Sequence, residues 1–156
     1  MRRAVQVLLG FFAVEGLVVG GWQLLAPASF WTDFPGLGRH WVSGDGGYNE
    51  HLLRDVGQGN VAVGVVALVA LLSSGVWLAR ATRLAALVAN LPHQLYHQTH
   101  LDRLPGDLDR VLQTAALSLV SLAAVVLTVL AFRLPVRTAA PDYPVGDGLR
   151  HDDGTR

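Results

Sequence analysis

Long apolar runs, bounded by Arg and Pro residues, constrain this chain more than any other feature of its sequence. A helix that spans a bilayer needs about 20 mostly apolar residues. Four runs approach that length, at about 4–26, 55–79, 81–101 and 111–132. Charged residues make up 15% of the chain, where a soluble domain has about 25%. The sequence therefore predicts an all-α fold, an integral membrane four-helix bundle that crosses the cell membrane several times.

The third run is apolar only in its first half. After Leu91 it contains five residues that cannot face acyl chains: Pro92, His93, Gln94, His97 and Gln98. If this run spans the membrane, its polar half must face other helices or water.

The distribution of Arg predicts the orientation of the bundle. Pairs of Arg residues precede the first run, separate the second from the third and follow the fourth, at 2–3, 80/83 and 133/137. Four spans place all three pairs on one side, which the positive-inside rule assigns to the cytoplasm. Both termini are then cytoplasmic, and residues 138–156 form a disordered cytoplasmic tail. Residues 27–50 become an aromatic, Gly-rich outer loop, either lying at the membrane interface or acting as a lid.

Net charge and cysteine content exclude several functions. The 12 basic and 12 acidic residues cancel, whereas a nucleic-acid-binding domain carries a basic excess. The chain has no cysteine, so it has no disulfide, thiolate nucleophile or thiolate metal ligand. We expect no nucleic-acid partner. The expected partners are the lipid bilayer, a lipid-soluble small molecule, and either a second copy of the chain or another membrane protein.

Two stripes of polar residues follow the helical repeat. At about 100° per residue, Asn90, His93, His97 and His100 fall within an arc of roughly 80°. His51, Asp55 and Gln58 form a second stripe in the same way, also at the outer end of its helix. The two stripes are therefore expected to face each other.

Four imidazoles and a carboxylate are a ligand set for Zn, Fe, Cu or Mn. This interpretation makes His51, Asp55, His93, His97 and His100 the ligands of a divalent transition metal, with Glu50 as a catalytic base. Three alternatives stay open: wetted helix ends at the headgroup level, a bis-His haem site, and proton transfer through the imidazoles.

Glu15 lies near the middle of the first run, with no basic residue within a helical turn. A carboxyl group at membrane depth marks a functional site by default. Glu15 is therefore a catalytic candidate with a role toward a proton or a substrate. The structural alternative is a hydrogen bond to Gln23, Asn60, Ser118 or Ser121.

Part of the sequence resembles the DoxX-like group of small membrane proteins. The shared features are a Gly-rich first helix, followed by Trp22, Leu25, Pro27 and Phe30, and then the segment Arg54-Asp55-Val56-Gly57. The resemblance covers roughly the first 130 residues and implies a four-helix membrane bundle, which in some members of the group is a partner of other membrane redox proteins. It carries over no catalytic residues, and the His-rich segment 92–102 lies outside its pattern.

Three functional hypotheses follow. The first is a small membrane-embedded metalloenzyme, an oxidoreductase, hydrolase or isomerase that acts on a hydrophobic substrate near the outer leaflet. The second is a non-catalytic membrane subunit or scaffold whose polar stripes hold helices or a partner. The third is a small transporter or proton conduit built on Glu15 and the histidines.

Overall fold

The computed structural model describes residues 2–44, 46–73 and 76–134, and these residues are mostly helical. The elements follow in order as α1 (Arg2–Leu25), α2 (Pro27–Asp33), β1 (Pro35–Gly36), β2 (Arg39–His40), α3 (Glu50–Ser73), α4 (Val76–Thr99), a 3₁₀ turn (Leu101–Arg103) and α5 (Asp107–Phe132). The two short strands pair antiparallel as a hairpin. Three of the helices, α1, α3 and α5, are long and apolar enough to cross a membrane, which suggests a membrane protein.

Helices α1 and α3 pack antiparallel with their backbones in direct contact. A Cβ atom on Gly16 would lie 2.6 Å from the Asn60 carbonyl oxygen, and one on Gly64 would lie 2.9 Å from the Leu17 nitrogen. Real Cβ atoms do not approach other heavy atoms so closely, so only glycine fits at these positions. Small residues that let two helix backbones meet are typical of helix pairs in membranes.

Helices α4 and α5 form a second antiparallel pair, which polar side chains join. Gln94 Nε2 donates to Ser118 Oγ at 2.8 Å, and Gln98 Nε2 donates to Thr114 Oγ1 at 3.3 Å. At the other end of the pair, the buried Arg83 donates from Nη1 to the Thr128 carbonyl oxygen at 3.0 Å. Two of the five residues that interrupt the third apolar run, Gln94 and Gln98, therefore face α5.

The segment between α1 and α3 folds over one end of the bundle. Pro27 occupies the first turn of α2, where its missing N–H leaves no donor unsatisfied. The ring of Phe30 contacts those of Trp22 and Phe34, with centroids 5.6 and 4.6 Å apart, and Phe34 contacts Trp41 at 6.2 Å. This aromatic cluster ties the hairpin to the end of α1.

The helix bounds differ from the predicted runs mainly in α3 and at the start of α4, which begins at Val76 and not at about 81. The second run was placed at 55–79, whereas α3 is Glu50–Ser73. Its early start has a local cause: the side chain of Asn49 accepts a hydrogen bond from the Leu52 nitrogen at 3.1 Å, as a helix N-cap does. Helix α2 and the hairpin lie inside the predicted outer loop 27–50, and the predicted tail 138–156 lies outside the described residues.

Replacing Gly20 and Gly21 in turn tests the contact between α1 and α3. A Cβ on Gly20 would meet Asn60 Cβ at 2.7 Å and the Val61 nitrogen at 2.8 Å, whereas one on Gly21 meets nothing within 4 Å. We expect Gly20→Ala to lower the free energy of unfolding by about 1–3 kcal/mol through overpacking. Gly21→Ala should leave it unchanged or raise it by up to about 1 kcal/mol through helix propensity. Unfolding in detergent measures both, and equal effects would contradict the predicted contact.

Candidate functional site

A cavity of about 670 Å³ lies between the two helix pairs. Every long helix lines it, together with α2 and the hairpin segment. Most of the wall is apolar, with residues such as Val19, Val56, Leu117 and Val120, and a smaller number of polar side chains project among them. A largely apolar cavity with a few polar groups is typical of a small-molecule site.

Two amides on facing helices are bonded to each other at the cavity wall. Asn60 on α3 donates from Nδ2 to Oε1 of Gln23 on α1, at 2.7 Å. Gln23 is 7% exposed. This bond uses one amide donor and one amide acceptor, and it fixes the orientation of both side chains.

Gln113 on α5 also lines the cavity, and its side-chain oxygen lacks a partner. The residue is 4% exposed, and Oε1 accepts no hydrogen bond from the described part of the chain. A buried carbonyl oxygen without a donor costs about 1–3 kcal/mol. The oxygen is inaccessible to a water molecule, so it is packed within the wall and does not open into the cavity.

Glu15 on α1 faces the same cavity, and its carboxyl group is half-buried. Within the described ranges it makes no hydrogen bond or ion pair. None of the four predicted structural partners bonds to it: Asn60 and Gln23 bond to each other, and Ser118 accepts from Gln94. The buried hydroxyl of Ser121 makes no hydrogen bond with the described residues. The lining contributed by the described residues contains no Arg or Lys.

Helix α4 contributes a polar row to the opposite wall. Asn90, His93, Tyr96 and His97 all line the cavity. The His93 and His97 rings contact each other edge to face, with centroids 4.5 Å apart. The predicted grouping of Asn90, His93 and His97 on one helix face therefore agrees with the structure.

The two predicted stripes do not form one metal site. In the described part of the chain, no group of three or more His, Asp and Glu side chains could hold a metal ion. His51 bonds Asp55 on its own helix at 3.3 Å, and its side chain is 89% exposed. The reason is the rotation of α3, because Gly57 must face α1, and at about 100° per residue His51 and Asp55 lie about 120° and 160° away from it.

The remaining predicted site residues also lie outside the cavity. His100 follows the end of α4, where its ring stacks on Tyr96 with centroids 4.2 Å apart and bonds the Tyr96 carbonyl oxygen. Glu50, the predicted base, pairs with Arg54 at 2.9 Å. Of the two catalytic candidates, Glu15 alone lines the cavity.

Asp109 holds the hairpin over the cavity. Its Oδ1 accepts hydrogen bonds from Trp41 Nε1 at 2.9 Å and from Arg39 Nη1 at 2.5 Å, and its side chain is 16% exposed. Trp41 and Phe34 are cavity-lining residues, so this one carboxylate fixes part of the wall. The sequence showed Asp109 only as one acid among several in a loop, and it gave no sign that Gln113 was buried.

Comparisons of the chain with protein-family models, with curated proteins and with solved structures find no match. The resemblance to the DoxX-like group therefore stays a prediction.

Asp109→Ala should release the hairpin from α5. We expect a loss of about 1–3 kcal/mol, the range of hydrogen bonds to a charged group, and faster hydrogen exchange at residues 34–42 with little change in the α1–α3 pair. Asp107→Ala is the matched control, because Asp107 lies in the same first turn of α5, pairs with Arg110 and has a 95% exposed side chain. Equal exchange in the two variants would show that Asp109 does not hold the hairpin.

Proposed function

We propose that this chain is a multi-pass protein of the cell membrane, a four-helix bundle that binds a lipid-soluble small molecule in the cavity between its helix pairs. The observation that carries the proposal is the cavity itself. Its volume of about 670 Å³ lies in the usual range for ligand sites, about 300–1,000 Å³. Its apolar walls suit a hydrocarbon body, and its amides, imidazoles and carboxyl suit one polar group.

The exposed face of α4 supports its assignment as a membrane span in addition to α1, α3 and α5. Leu84, Val88, Leu91 and Leu95 follow each other at intervals of four, three and four residues, and all four are exposed. That spacing makes one apolar stripe. Gln94 and Gln98 bond to α5, and His93 and His97 line the cavity. The stripe itself thus presents an apolar surface to acyl chains.

The proposed orientation places the termini in the cytoplasm and the hairpin outside. The absence of native cysteine allows single-cysteine labelling without background. Leu37, at the tip of the hairpin, is fully exposed, and Ser73 ends α3 at the opposite end. In intact cells we expect a membrane-impermeant maleimide to label Leu37→Cys at least 10-fold faster than Ser73→Cys, with equal labelling after lysis. The reverse order would invert the topology.

Filling the cavity tests the binding function. The probe is 6-(2-naphthyl)hexan-1-ol, measured by equilibrium dialysis against the protein in neutral phosphatidylcholine nanodiscs and against empty nanodiscs. We expect saturable binding by the protein. Ala116 lines the cavity and Ala115 beside it does not, although both are exposed. Overpacking costs about 1–3 kcal/mol, so Ala116→Phe should weaken binding about 5- to 150-fold.

Ala115→Phe is the matched control and should bind the alcohol as the parent does. It adds the same ring to the same helix, one residue away. Binding that is absent from the parent, or that both variants weaken equally, would refute the proposed site.

A further inference from the structure

We propose that the molecule bound in this cavity is a lipophilic amine in its protonated form, with Glu15 as its counter-ion. This inference rests on the proposed function and names the class of its ligand. It follows from the carboxyl group and the aromatic rings that the described residues present to the cavity.

The charge of the lining favours a cation. Glu15 is its one carboxyl group among the described residues, and these contribute no Arg or Lys that could neutralise it or attract an anion. An ammonium group provides the missing positive charge, and its N–H groups form charge-assisted hydrogen bonds with a carboxylate. A carboxylate or phosphate ligand would instead meet Glu15 as a like charge.

The carboxyl group of Glu15 also lacks a hydrogen-bond donor among the described residues. A ligand that only accepts hydrogen bonds leaves its oxygens without a partner, whereas an ammonium group has N–H donors to spare. Charge and hydrogen bonding thus favour the same functional group.

The aromatic wall is suited to the same ligand. Phe30, Phe34, Trp41 and Tyr96 line the cavity, and the faces of such rings attract cations. The rings also provide apolar contact area for the hydrocarbon part of the amine.

The test compares four molecules that share one naphthylhexyl body and differ in the head group: ammonium, trimethylammonium, alcohol and carboxylate. Dialysis against neutral phosphatidylcholine nanodiscs at pH 7.5 measures each, with empty nanodiscs to subtract partition into lipid. We expect the ammonium compound to bind about 10- to 100-fold more tightly than the alcohol, the range of a charge-assisted hydrogen bond. The carboxylate should bind least, and this order needs no variant protein.

Two variants and the trimethylammonium compound separate charge from hydrogen bonding. Glu15→Gln should reduce the preference for ammonium over alcohol to less than threefold, while Glu50→Gln, which changes a carboxyl group outside the cavity, should preserve it. The trimethylammonium compound keeps the charge but has no N–H, so it should bind the parent protein about 3- to 10-fold more weakly than the ammonium compound.

The proposal also predicts the direction of pH dependence. A proton and the ammonium group compete for the Glu15 carboxylate, so affinity should fall as pH falls. The titratable groups that face the cavity from α4 are His93, Tyr96 and His97, while α3 and α5 contribute the neutral amides of Asn60 and Gln113. Protonated imidazoles would also oppose a cation, so a His93→Gln, His97→Gln double variant isolates the contribution of Glu15. The affinity of this double variant for the ammonium compound should still fall with pH, and this dependence should disappear when Glu15→Gln is added.

The outcomes distinguish the two proposals. Alcohol binding that equals ammonium binding, and that Ala116→Phe abolishes, would overturn the amine proposal and keep the lipid-soluble ligand. Tighter binding of the carboxylate, or a Glu15→Gln variant that keeps the full preference for ammonium, would also overturn the amine proposal. If none of the four molecules shows binding that Ala116→Phe weakens, both proposals are overturned.

Discussion

The backbone contact between α1 and α3 determines where the polar groups of this bundle lie. With glycine at positions 16, 20, 57 and 64, the two helices meet without intervening side chains. The rotation of each helix about its axis is then fixed, because turning either one would place a bulkier residue against the opposite backbone. That rotation carries Asn60 to Gln23 and leaves His51 and Asp55 on the outer surface.

Side-chain hydrogen bonds join the second pair, whose helices also bury small residues such as Ala86 and Ala124. Gln94 and Gln98 reach Ser118 and Thr114 across the interface, and Arg83 reaches the last turns of α5. Its guanidinium also lies 3.3 Å from the centre of the Phe132 ring. Polar side chains that would be costly in lipid thus become contacts between helices. The residues of α4 left over from this pairing, Asn90, His93 and His97, line the cavity.

Periodicity along the sequence predicted the features that belong to a single helix, namely its position and the residues that share one of its faces. The apolar runs indicated the long helices, and the angular spacing of Asn90, His93 and His97 placed them on one face of α4. Periodicity within one helix does not give the rotation of that helix relative to another. The glycines of α3 contain that information, because they mark the face that meets α1, and this face excludes the His51 stripe. His100 was misplaced for a different reason: α4 ends at Thr99, so the helical angle no longer applies to it.

The cavity lowers the stability of a bundle of this size, and this loss of stability favours a role for the cavity in binding. A domain is stable by about 5–15 kcal/mol, and each unsatisfied buried polar atom subtracts about 1–3 kcal/mol. Leu at position 15 and Met at position 113 would fill part of the cavity and replace the carboxyl group and the amide with apolar side chains. The chain instead has a carboxyl group and an amide there, and it holds aromatic side chains over one end through Asp109. The carboxyl group of Glu15 destabilises the empty bundle and is satisfied when a donor enters the cavity, as expected of a polar group that orients a ligand in an apolar site.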